Sequence, residues 1–194
     1  MPARQIQEFR QHLLDDPKYR KARRDFHEAY ELLEGYWRGG EPVHSFNEFC
    51  RELGDYFWDI ADIRTLTRQL ACEGPVGNSR DNYHPSDDMV RATMFLLHKA
   101  DVVPEDSLDE CSAFFRNRHP GLYRPELANC WIGGGFKAMM VMVYQIRNNL
   151  FHGRKLELQE DQLQRNIRLI TIARDIVVVL LDDLEKAEEA ARSH

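Results

Sequence analysis

Between Phe46 and Leu70 the apolar residues Phe46, Phe49, Leu53, Tyr56, Phe57, Ile60, Ile63, Leu66 and Leu70 recur at intervals of mostly three and four. That period is helical, and it builds one apolar face that must be buried against other helices. Ser45 is placed to cap this helix, with Glu48 three residues on as its capping-box partner. The same period runs through the rest of the chain, with no strand-like alternation and no internal repeat. A helix is predicted from Lys18 to Trp37, ended by Gly39-Gly40 and Pro42. Glu73 to Pro85 reads as a loop, and Ser86-Asp87-Asp88 caps a helix running to about Lys99. A short helix follows Ser107, and Arg116 to Pro125 reads as an irregular basic loop around His119-Pro120-Gly121. Gly133-Gly134-Gly135 gives way to a helix from Phe136 to His152 that Gly153 stops. The last helix runs from about Glu160 to Ala190. Its stretch Ile176 to Leu181 is apolar all round, and needs cover on two sides from the bundle or from a second subunit.

These elements predict an all-α protein, an antiparallel helical bundle with additional N-terminal helices. Its 194 residues suit a single domain, in which 1–85 hold the N-terminal helices and a loop and 86–194 the main bundle. The longest apolar stretches, Ala138 to Val143 and Ile176 to Leu181, fall far short of the ~20 residues that span a bilayer. Met1 to Arg10 contains no apolar run, which argues against a secretory signal. Cys50, Cys72, Cys111 and Cys130 include no C-x-x-C pair and do not read as a zinc site. They are expected to be free thiols in a reducing cytoplasm.

The net charge of −6 hides a division. From Ser112 to Lys155 there are seven basic residues (Arg116, Arg118, Arg124, Lys137, Arg147, Arg154 and Lys155) against one acid, Glu126, a net of +6 that leaves −12 for the remainder. A cationic segment on an acidic body can hold a polyanion locally while the body discourages indiscriminate coating of nucleic acid. Packing of positive helices against negative ones within the fold is the other reading of the same pattern.

Stepping 100° per residue along the helix from Phe136 places Phe136, Met139, Met140, Val143, Tyr144, Ile146, Leu150 and Phe151 on one arc, with Arg147 among them. A guanidinium in an apolar stripe costs several kcal/mol unless an anion meets it. Either Arg147 forms an internal salt bridge, for which Asp55, Asp59 and Asp62 are the candidates, or its partner is a bound phosphate. We expect the second, with no carboxylate of the same chain in reach. Lys137, Asn148 and His152 fall on the opposite, polar side. Arg147 and His152 are five apart, roughly 140° round a straight helix, so one helix does not easily aim both at one atom. A second copy of the chain facing the first removes that difficulty.

The run Arg147-Asn148-Asn149-Leu150-Phe151-His152-Gly153, late in an amphipathic helix and followed by a long apolar one, resembles the signature of the HEPN superfamily. Residues before about Ser86 add nothing to the resemblance beyond being helical. The resemblance implies a HEPN-like bundle and a metal-independent endoribonuclease that dimerises, so that two motifs face one cleft. It implies His152 as general base or acid, Arg147 as the clamp on the phosphate, and Asn148 as a residue orienting either. Those types suit cleavage of single-stranded RNA: a His near its ordinary pKa of ~6.5 exchanges protons with a ribose 2′-hydroxyl and the leaving oxygen at neutral pH. Arg stays charged and binds the developing phosphorane through two nitrogens. The basic residues Arg116, Arg118, His119, Lys137, Arg154 and Lys155 are the expected RNA contacts, with no cofactor or metal. A tyrosine that carries regulatory modification in some members is replaced here by Arg154. The expected role is a cytoplasmic, toxin-like ribonuclease of stress or phage defence, with an antitoxin protein as a possible partner. The alternative is a non-catalytic dimer that binds RNA or a nucleotide-like ligand, or scaffolds a partner protein.

Overall fold

The computed structural model describes residues 16–38, 45–75, 85–151 and 160–193, and these are all-helical. In chain order they form α1 Pro17–Arg38, α2 Phe46–Trp58, α3 Ala61–Glu73, α4 Asp87–Leu97, α5 Glu105–Arg118, a 3-10 turn Pro125–Cys130, α6 Gly135–Phe151 and α7 Glu160–Arg192. Local capping explains several of the starts. Asp16 Oδ1 accepts from the backbone N–H groups of Lys18 and Tyr19 at 2.8 Å, in front of Pro17 in the first turn of α1. Ser45 Oγ accepts from Glu48 N–H at 3.2 Å and donates to Glu48 Oε2 at 3.1 Å. Ser86 Oγ accepts from Met89 N–H at 3.2 Å.

Two helix boundaries differ from the sequence expectation. The helix read as continuous to Leu70 breaks after Trp58, where Ile60 turns to an extended conformation (φ −69°, ψ 118°). The apolar period passes through the break unaltered, which hides it from the sequence. Its cause is tertiary: α2 packs on α6 while α3 packs on α7, and one straight rod would not follow both. Trp58 Nε1 donates to Asp101 Oδ2 at 2.9 Å, and Arg64 Nη1 caps the Trp58 carbonyl at 2.7 Å. The second difference is α5. It starts directly after Pro104, with Glu105 and Asp106 in its first turn, and runs for 14 residues. Arg116 and Arg118 therefore belong to its last turn and not to an irregular loop, which begins only at His119.

α6 is the centre of the fold, packed against α1, α2, α3, α4 and α7. Phe136, Met139, Met140, Val143 and Ile146 are buried as the apolar arc requires, but so are Ala138, Met142 and Asn149 on the side expected to be polar. Tyr144, assigned to the arc, is 42 % exposed and lies against the Phe46 ring. In the apolar stretch of α7, Ile176, Val177 and Leu180 are fully buried within the chain, whereas Val178 remains exposed. The helix pair with the most extensive contact is α1 with α7.

The cysteines correct a further expectation. Cys72 of α3 and Cys111 of α5 are joined as a disulfide across a Cα–Cα distance of 5.4 Å. Spacing along the chain gave no sign of it, because the two are 39 residues apart and meet through helix packing. Cys50 and Cys130 are free. Burial pushes the Cys50 thiol up to about 12, with the charge of Lys137 pulling weakly the other way. No helix among the described residues is long and apolar enough to cross a membrane.

Candidate functional site

Arg147 sits in the next-to-last turn of α6, with its side chain 23 % exposed. It does have a carboxylate partner in its own chain, contrary to expectation. The partner is Glu34 of α1, whose Oε2 lies 3.4 Å from Nη2, and not Asp55, Asp59 or Asp62. Glu34 is itself buried and is shared with Arg38, one turn on, at 2.8 Å. The Arg147 guanidinium also lies 5.6 Å from the centre of the Tyr30 ring. Burial, reinforced by the charge of Glu34, raises the Tyr30 phenol well above its ordinary range. Asn148 Oδ1 accepts from Arg147 Nη1 at 3.3 Å, so these two neighbours do meet. Asn149, buried, accepts at Oδ1 from Gln145 Nε2 at 2.9 Å. His152, Arg154 and Lys155, with Gly153, lie outside the described residues.

The end of α6 meets a basic face of α1. Arg20, Arg23, Arg24 and His27 stand at i, i+3, i+4 and i+7, one stripe of the helix. Together with Phe26 and Leu150 they line a cavity of about 480 Å³. Arg23 Nη2 donates to the Leu150 carbonyl at 3.1 Å, satisfying one of the carbonyls that a helix end leaves without an internal partner. Asp25 takes up part of the charge, at 3.3 Å from Arg24 and 3.6 Å from Lys21, and Glu31 lies 3.4 Å from His27. This half of the site comes from residues before Ser86, which the motif alone leaves without a role.

The remaining basic residues do not gather there. Arg118 pairs with Glu73 Oε2, and His119 Nε2 lies 3.1 Å from the Glu73 carbonyl oxygen. Arg168 Nε meets Glu73 Oε1 at 3.0 Å, and Arg165 Nη2 donates to the Glu73 carbonyl at 3.0 Å. Glu73, at the end of α3, thus draws three arginines of α5 and α7 to its buried carboxylate and the histidine of the turn after α5 to its backbone carbonyl. Burial lowers the pKa of His119, with the Arg165 and Arg118 charges acting in the same direction against the Glu73 carbonyl. Gly74, directly after Glu73, has φ +86°, and a Cβ there would collide with the His119 ring, so glycine is required on both counts. Arg116 Nε donates to the Ser112 carbonyl at 3.3 Å and its guanidinium lies 5.1 Å from the centre of the Tyr123 ring. Lys137 packs its stem against Gly133, and a Cβ on Gly135 would overlap the Trp58 ring, so these two glycines serve packing at the start of α6.

Sequence reasoning missed Glu34, Glu73, Arg165 and Arg168. Arg165 and Arg168 at i, i+3 on α7 carried a faint signal of a shared anion, but their partner is more than ninety positions earlier. Among the described residues no three His, Cys, Asp or Glu side chains come together as a metal site. Comparison with known proteins adds no kinship: no protein-family model, no curated protein and no solved structure matches the chain.

Proposed function

We propose that the chain is a metal-independent endoribonuclease of the HEPN type, cleaving single-stranded RNA by attack of the 2′-hydroxyl. The observation that supports this reading is the basic cavity at the end of α6. Arg147 and Asn148 are hydrogen-bonded to each other one turn from Leu150, where Arg20, Arg23, Arg24 and His27 of α1 converge. The ion pair from Arg147 to Glu34 is long, at 3.4 Å, and Glu34 keeps Arg38 at 2.8 Å when a phosphate draws the Arg147 guanidinium to itself. In this reading His152 moves the proton, Arg147 stabilises the phosphorane charge and Asn148 orients Arg147. Two chains associate with their motif segments facing, and the setting is the cytoplasm, in stress or phage defence with an antitoxin as partner. Arg116, Lys137, Arg154 and Lys155 extend the RNA contact, while Arg118 and His119 serve it only through their hold on Glu73.

The Glu34 contact favours a second reading, in which Arg147 is a packing residue of a non-catalytic helical dimer that binds RNA or a nucleotide-like ligand or scaffolds a protein. Incubation of the purified protein with single-stranded RNA in EDTA separates the two. Cleavage leaving a 2′,3′-cyclic phosphate, abolished by His152→Ala with RNA binding retained, supports the nuclease. Cleavage by His152→Ala at the wild-type rate, or none by the wild type, leaves the binding module. The nuclease also requires a dimer at micromolar concentration, so a monomer by light scattering overturns it.

A further inference from the structure

We propose that the groove between α3, α5 and α7 binds a phosphate-bearing small molecule of nucleotide size, at a site separate from the end of α6. The groove encloses about 520 Å³, within the range of ligand pockets. Arg68 and Gln69 line it from α3, Ser107 and Phe114 from α5, and Arg168 from α7. Glu110 is the opposing acid, and Glu73 contributes to the lining beside Arg168.

Charge decides the class of ligand. Glu73 supplies one negative charge to Arg118, Arg165 and Arg168, so the cluster keeps an excess of two positive charges. Arg165 is half-buried, and its Nε atom is buried 3.8 Å from Glu73 Oε2 and in no hydrogen bond. Its pKa is lowered by burial first, with the Glu73 charge opposing and the Arg118 and Arg168 charges adding to the lowering. Arg68, half-buried in the groove wall, makes no hydrogen bond or ion pair among the described residues. In the lining itself Arg68 and Arg168 balance Glu73 and Glu110, and the surplus of two comes from Arg118 and Arg165 paired to Glu73 beside it; a phosphate dianion matches that surplus with acceptors for the guanidiniums of α3 and α7. A carboxylate would meet half of that charge. Phe114, 41 % exposed and with the Arg118 guanidinium 4.5 Å from its ring centre, offers an aromatic surface for a base. The disulfide Cys72–Cys111 lines the same groove and fixes α3 to α5, so the two walls are held in register before any ligand arrives.

The full chain, titrated in a thermal-denaturation assay with inorganic phosphate, with adenosine and with AMP, GMP, CMP and UMP, tests this. At least one nucleotide is expected to raise Tm, phosphate to do so more weakly, and adenosine not at all. Arg68→Ala is expected to weaken nucleotide binding about tenfold or more while leaving the unliganded Tm unchanged, because Arg68 makes no hydrogen bond or ion pair among the described residues. Phe114→Ala is expected to weaken the nucleotides without affecting phosphate. Absence of any shift at millimolar nucleotide, or wild-type affinity in Arg68→Ala, overturns the proposal. Phosphate binding as tightly as every nucleotide overturns its nucleotide part. Each of these outcomes is independent of whether RNA is cleaved.

Discussion

Two buried glutamates organise the cations of this protein, and they do so differently. Glu34 is held by Arg38 of its own helix and by one 3.4 Å contact from Arg147. Glu73 is ringed by side chains from two other helices and the turn after α5, through both its carboxylate and its backbone carbonyl. The first arrangement is half local and ties α1 to one other helix, α6. The second joins α3, α5 and α7 and depends on every element being in place. An arginine in an apolar stripe is therefore not by itself the mark of a ligand site or of a structural one. How many elements share its anion is more informative, because a many-sided cluster resists rearrangement while a single contact yields to a competing anion.

Removing the two carboxylates in turn tests this contrast most directly. Glu73→Gln is expected to cost about 3–5 kcal/mol in urea denaturation, because Arg165 and Arg118 are left with uncompensated charge in a largely buried place. Glu34→Gln should cost only about 1–2 kcal/mol, since Arg38 is exposed and Arg147 keeps Asn148. Equal losses would erase the distinction. Between these falls the covalent tie in the Glu73 region: Cys72→Ser with Cys111→Ser, or reduction, should lower stability by about 2–4 kcal/mol, as closing a loop of this length does. That loss should appear as a lower urea midpoint, and its absence would mean that the ion cluster alone holds α3 to α5.

The smallest effect is one of pH. His119 has its pKa lowered on folding, so the unfolded chain binds its proton more readily. Stability from this group is fully present above ~6.5 and is lost as pH falls from there through the folded-state value. His119→Asn should flatten the urea midpoint against pH in that window. An unchanged slope would show that the histidine is not held neutral against Glu73.

The helices were legible because their causes are local: Ser45 and Ser86 cap as their sequences imply, and α6 and α7 begin and end within a few residues of expectation. The break at Ile60 was not, since it follows from α2 and α3 choosing different neighbours. Nor was the length of α5, where Pro104 rather than Ser107 marks the start. At the site, the stripe reading identified Arg147 as a charge in need of an anion, while Asn148, read onto the opposite side of the helix, is hydrogen-bonded to it. The anion itself was assigned to a ligand or to an aspartate of the Phe46–Leu70 helix, whereas Glu34 lies more than a hundred positions away in a helix that the motif gave no reason to consult. Arg118 and His119 looked like exposed contacts because their block is basic, yet they turn inward to a glutamate that sat at the edge of a presumed loop. Pairings across long separations are matters of topology, and a single sequence carries little of it.

The pairing of α1 with α7 sets an order of events during synthesis. The ribosome completes α1, with its buried Phe26, Tyr30 and Leu33, before most of the chain exists, yet the helix it packs against most extensively, α7, is made last of the described helices. At about 5–20 residues per second, α1 must wait on the order of ten seconds with its apolar face uncovered. A nascent chain stalled before α7 is thus expected to present that face to chaperones or to other chains, and the fold can close only once translation has passed Val177 and Leu180.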